Sequence, residues 1–260
     1  MGWNLLKTET EKPKMEDYWH KPEDIVQKSG LKALIYGEPE VGKTHFALTF
    51  PDPIYVVDTE FGLAPLLQKD LFKDKEIRVF EACVLDTKTV EVDPIKSIEA
   101  LERALSALST LQRGTVVIDS ISDVWQWLQA WLEVVASKKT STGQPYRFEY
   151  GKANMRYRKL ILRLIAQPIN VVLTAKVTEK YDSSGNPMGV YVPRAQKDTS
   201  HMVDVVLYAK KEFDPIAKRW KYASTLTKCR FQRGFEAELE DVTYDKLIAL
   251  LKEQLGVVIV

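Results

Sequence analysis

Cysteine is almost missing from this sequence of 260 residues: only Cys83 and Cys229 occur, far apart and without metal-ligand spacing. That excludes a disulfide scaffold and suits a reducing compartment. Histidine is as scarce, and His20, His45 and His201 are scattered, so a zinc site or a histidine-based triad has no support. No stretch approaches the roughly 20 apolar residues of a membrane span. The first thirty residues are charged and unlike a signal peptide, so the chain is expected to be cytoplasmic, with no membrane partner. Charge of one sign is lacking too, with 37 basic residues against 36 acidic ones, so affinity for a polyanion must come from local clusters and not from a global field.

What is present is apolar content of 45%, enough for a sizeable core, and apolar runs that alternate with helical periodicity. Leu31–Tyr36, Ile54–Asp58, Ile77–Phe80, Thr115–Asp119 and Asn170–Ala175 read as buried strands. Helices are expected from His45, after the Asp93-Pro94 start signal, over Ile121–Ala136, over Gly151–Gln167 and over Thr243–Leu255. Strands alternating with helices imply an α/β fold with a mostly parallel central sheet flanked by helices. Val177–Asp182 and Val190–Pro193 flank SSGNPMG as a hairpin, and Val203–Ala209 with Trp220–Thr227 reads as a second antiparallel pair added at the C-terminal edge. The expected organisation is an extension over 1–30 that docks through Trp3 or Trp19, a core over 31–235, and a C-terminal helical segment over 236–260 packed on it. Trp125, Trp127 and Trp131 suit core or interface packing.

Between the first strand and its helix lie Gly37, Glu38, Pro39, Glu40, Val41, Gly42, Lys43 and Thr44, which fill the phosphate-binding loop template with nothing missing. In that template backbone N–H groups cradle phosphates, the lysine reaches the outer phosphates, and the last hydroxyl ligates magnesium. His45 follows at the start of the helix and is expected to pack beside the loop. Thr115–Asp119 is a hydrophobic strand ending in a carboxylate, so Asp119 can hold the magnesium beside Thr44. A plain helix-capping role is the alternative for Asp119. The residue after it is Ser120, not a glutamate, so the group that orients water for hydrolysis must come from elsewhere. The strand ending VVDTEFG puts Glu60 at the carboxyl edge of the sheet, where ligands of open α/β folds collect.

These segments resemble the RecA family, including the archaeal RadA recombinases, and the resemblance covers most of Leu31–Gly234. It implies a RecA-like ATPase core that binds ATP and Mg2+, with Glu60 as the water-activating glutamate. It also implies that Thr174 or Lys176, at the end of the strand VVLTAK, senses the γ-phosphate, although RecA itself has an Asn-Gln pair there. Lys228 and Arg230 are similar to basic pairs that RecA-type ATPases insert into a neighbour's site, which implies a homo-oligomer, ring or filament, with ATP at its interfaces. A solvated strand face is the other reading of that pair. The chain looks closest to the small core-only ATPases of phages and archaeal viruses that are associated with single-strand annealing and recombination.

Between Lys138 and Arg163 lie eight basic residues, among them Lys138, Lys139, Arg147, Lys152 and Arg156, against the single acid Glu149, with Tyr146, Phe148, Tyr150 and Tyr157 interleaved. Cations tracking a backbone and aromatics stacking on bases are the ingredients of a single-stranded DNA surface. The resemblance implies a DNA-contacting loop in the same place and a second one over Val177–Lys197. The alternative puts Arg156 and Arg163 against a neighbouring subunit. A second basic stretch, Tyr208–Arg233, also carries Phe213, Trp220 and Tyr222. The expected activity is a magnesium-dependent ATPase acting on single-stranded DNA. The competing readings are a ring-forming DNA motor and an ATP-controlled assembly factor with slow turnover or none.

Overall fold

The computed structural model describes residues 21, 30–68 and 70–257, so the docking expected for Trp3 and Trp19 lies outside the described residues. Strand β1 (Lys32–Gly37) is buried along its whole length, as a run flanked on both sides must be. It pairs in parallel with β5 (Asn170–Tyr181) on one side and β7 (Val205–Asp214) on the other. With β2 (Ile54–Asp58), β3 (Ile77–Glu81) and β4 (Thr115–Asp119) the parallel order is β3-β2-β4-β5-β1-β7. Strands β8 (Arg219–Cys229) and β9 (Ala237–Glu240) then add antiparallel at the β7 edge. The fold is thus the expected mixed α/β architecture.

Strand alternation divides the core into two layers. Leu34, Tyr36, Val116, Ile118, Val171 and Leu173 face α3 (Pro94–Ala107), α4 (Ile121–Val135) and α5 (Tyr150–Ile165). Ala33, Ile35, Val56, Val117, Val172 and Leu207 face α1 (Lys43–Leu48) and α7 (Tyr244–Leu255). Two short helices, α2 (Ala64–Leu67) and α6 (Thr199–Met202), complete the set. The Asp93 signal works as expected, its carboxylate accepting from the Lys96 N–H at 3.0 Å. Among the described residues no helix is long and apolar enough to cross a membrane.

Two elements depart from the sequence reading. β5 does not stop at Ala175 but runs on to Tyr181, leaving the central sheet after Lys176 and pairing with β6 (Pro187–Pro193). β9, with the sequence AELE, has no β-branched or aromatic residue and forms because β8 offers it an edge, so residues 236–260 open with a strand of the same sheet before the helix begins.

Candidate active site

The loop leaves β1 at Gly37, where a Cβ would lie 2.2 Å from the Ala209 carbonyl oxygen of β7. Glycine is therefore required there by the neighbouring strand. Glu38, Pro39 and Glu40 are exposed and Val41 is buried. Gly42 adopts a left-handed φ of 89° at the start of α1. Glu40, also left-handed at φ 63°, is tied to Lys211 of β7 by an ion pair at 2.7 Å, which keeps its carboxyl below the usual range. The Lys43 ammonium donates to the carbonyls of Gly37 (3.1 Å) and Glu38 (2.7 Å). Burial pulls its pKa down, against the opposing pull of Asp119, Glu60 and Glu38. His45 meets Phe72 edge-on at 5.4 Å, beside the loop as expected.

Register brings β4 into the same mouth, with Asp58 level with Asp119 and Ile118 level with Leu173. Thr44 Oγ1 donates to Asp119 Oδ2 at 2.7 Å, and Thr174 Oγ1 donates to Asp119 Oδ1. Thr174 is fully buried, so its hydroxyl orients the carboxylate from behind. Thr44 and Asp119 thus present hard oxygen atoms together. Among the described residues no group of three or more His, Cys, Asp or Glu could hold a metal. A pair of this kind still fits magnesium, which is bound through one or two protein ligands plus substrate phosphates.

Glu60 is turned toward this edge by Asp58, whose carboxylate accepts from the N–H groups of Glu60 (2.9 Å) and Leu63 (3.2 Å). The Lys176 ammonium sits between Glu60 Oε1 (2.6 Å) and Asp123 Oδ1 (2.8 Å). Asp123 also accepts from Ser120 Oγ (2.6 Å) and Thr59 Oγ1 (3.0 Å). Burial, then Asp123, raises the Glu60 carboxyl above the ordinary carboxylate range despite Lys176, whereas Asp123 is held low. Sequence reasoning missed Asp58, Thr59, Ser120 and Asp123. The signal for Asp123 was its place in the first turn of α4, four residues after Asp119, on the edge where the strand ends.

The remaining candidates fall elsewhere. β8 runs antiparallel to β7, so Ser224 is level with Ala209 and Gly37 while Lys228 is level with Val206 and Leu34. Lys228 donates to the Ser200 and Val203 carbonyls, and Arg230 binds Asp204 Oδ1 (2.9 Å) and the His201 carbonyl (2.6 Å). Both therefore lie toward the opposite edge of the sheet from the chain's own phosphate loop. In the basic cluster, Arg156 makes a bidentate pair with Glu102 (2.9 Å twice) and lies 4.7 Å over the Trp131 ring, tying α5 to α3 and α4. Lys152 is paired with Glu149 at 2.5 Å. Tyr146 and Phe148 stack at 5.9 Å and stay 45% and 64% exposed, with the Lys138 ammonium 5.8 Å over Phe148. Lys139 and Arg147 are exposed beside them.

A family model described as AAA domain (AAA_24) matches residues 29–231. Among solved structures the chain is similar to the RadB recombinase, at 17% identity with a TM-score of 0.50, over 85% of this chain and 94% of that one. It is also similar to a KaiC-like protein from Pyrococcus horikoshii OT3, at 16% identity and a TM-score of 0.44, over 82% of this chain and 85% of that one. No curated protein sequence matches the chain.

Proposed function

The chain belongs to the AAA domain family and has a RecA-like P-loop ATPase fold, and from that premise we propose that it is a magnesium-dependent ATPase that assembles as a homo-oligomer on single-stranded DNA, in recombination, annealing or replication. The observation that carries the reading is the convergence of Lys43, Thr44, Asp119 and Glu60 at one edge of the sheet. Lys43 compensates triphosphate charge, and Thr44 and Asp119 would hold the magnesium ion. When bound, that ion neutralises charge developing on the phosphates. Glu60 takes a proton from the attacking water, which requires it to be ionised. The resemblance to core-only annealing ATPases of phages and archaeal viruses supports the recombination setting, and the trans role of Lys228 and Arg230 is part of the same proposal.

The Glu60–Lys176 ion pair favours a second reading. A glutamate held by a lysine turns over slowly until something draws the lysine away, which is the behaviour of an ATP-controlled assembly factor. DNA then separates the two readings: it raises the ATPase rate of a DNA-acting enzyme and leaves that of an assembly factor unchanged.

The pH profile tests Glu60 itself. Because its carboxyl is raised, the ionised base is lost as pH falls through a pKa above the ordinary carboxylate value, and hydrolysis falls with it. Asp123→Asn removes one cause of the rise while Lys176 remains, so the acid limb of the rate profile should move to lower pH. A limb that stays in place shows that another group is titrating.

The exposed Tyr146–Phe148 stack with Lys138, Lys139 and Arg147 supports the DNA contact. Replacing the three cations with Ala should weaken single-strand binding and flatten its dependence on salt, by about 2 in the log–log slope at roughly 0.7 per phosphate contact. Tyr146→Ala should weaken binding roughly fivefold or more with the slope kept, because stacking releases few ions. Titration of DNA across salt concentrations, with and without a non-hydrolysable ATP analogue, reads both. An unchanged slope and affinity in the triple variant would move the assignment to the assembly factor.

A further inference from the structure

The phosphate loop opens onto a cavity of about 930 Å3, within the range of small-molecule sites. Its near side is Gly42–His45. Its far side is built by Tyr222 of β8 and by Asp241 and Thr243, in the turn between β9 and α7. Tyr222 lies within the stretch matched by the family model, and residues 241–246 lie beyond it.

The corner is firmly built. The Asp241 N–H donates to the Tyr222 carbonyl at 2.9 Å, fixing the turn to β8. Lys246 donates to the carbonyls of Glu240 (2.8 Å) and Asp241 (3.0 Å). The start of α7 is held to the end of α1 by the Tyr244 N–H, which donates to Thr49 Oγ1 at 2.8 Å, and by the Phe50–Tyr244 ring contact at 4.7 Å. Leu247 and Leu251 are fully buried behind it. Loop and corner therefore sit on one packed unit. Two side chains of the corner are left uncommitted: among the described residues the Tyr222 ring has no aromatic or hydrogen-bonding partner, and the Asp241 carboxylate has no ion pair.

The geometry points to this corner as the nucleoside wall of the site. The Tyr222 ring stacks on the base of a nucleoside triphosphate whose phosphates occupy the loop, and the Asp241 carboxylate accepts hydrogen bonds from the nucleoside's donors. The inference rests on the triphosphate reading of the loop and adds which part of the chain recognises the rest of the ligand. A free triphosphate needs the loop alone, and a nucleotide needs both walls.

The experiment compares ATP with inorganic tripolyphosphate as ligands of the full chain and of two variants, Tyr222→Ala and Asp241→Asn. Asparagine is chosen because Asp241 has a left-handed φ of 43°, which asparagine tolerates. Tyr222→Ala should lower ATP affinity about fivefold or more, the scale of one base–aromatic stack. Asp241→Asn should lower it as well, and both variants should bind tripolyphosphate like the parent. ATP affinity unchanged in both variants overturns the wall and leaves the loop reading standing. An equal fall for the two ligands assigns the loss to the loop and also overturns the wall. A parent protein that binds neither ligand overturns the loop reading beneath it.

Discussion

Lys43→Ala protein should fold like the parent and fail to hold ATP. The ammonium lies within reach of the loop carbonyls of Gly37 and Glu38, and its pKa is lowered mainly by burial. A lysine whose folded pKa is depressed opposes folding while it is charged, so at neutral pH its loss costs the fold nothing through this linkage. A triphosphate supplies the opposing charge, and truncating one partner of such a hydrogen-bonded charge pair costs about 2–5 kcal/mol, or roughly 30- to 5,000-fold in affinity. Calorimetric titration with ATP alongside a thermal melt reads both quantities. ATP affinity within threefold of the parent would remove Lys43 from the site, whereas a melting temperature far below the parent's would mean that the lysine holds the loop together.

The parts of the fold legible in the sequence are those whose environment is symmetrical. β1, β2 and β4 are covered on both faces and write continuous apolar runs such as Val116–Ile118, and α3 announces itself through Asp93 and Pro94. β9 is illegible because its four residues gain their conformation from the edge of β8. The same division holds at the site. Gly37–Thr44 is contiguous and carries its own geometry, so the loop could be read directly, and Asp119 could be read as the end of a buried strand. The association of Asp123, Lys176 and Glu60 depends on the register of three different strands and a helix, which local spacing does not encode. Lys228 and Arg230 show the opposite difficulty. Their spacing reads as two cations on one strand, but β8 ends at Cys229, one residue before Arg230, and its antiparallel direction decides which edge of the sheet they approach. Arg156 reads as one more cation of a basic cluster until Glu102 and Trp131 are seen around it.

Glu60→Gln should separate binding from turnover. The amide keeps the size of the side chain and can still accept from Lys176, so the edge of the sheet is preserved, but it cannot take a proton from water. Loss of a general base costs typically 10²- to 10⁴-fold in rate, so single-turnover hydrolysis should fall by at least about 100-fold while ATP affinity stays within a few-fold of the parent. Equal loss of kcat and kcat/KM is the signature of an interaction made only in the transition state. Lys176→Met supplies the complementary measurement. It frees Glu60 from its ion pair and removes a charge that lowers its pKa, so the acid limb should move to higher pH. In the Glu60→Gln background the same substitution should leave no such shift. If Glu60→Gln protein hydrolyses ATP at the parental rate, the base lies elsewhere, and the cluster of Lys176 with Asp123 is structural.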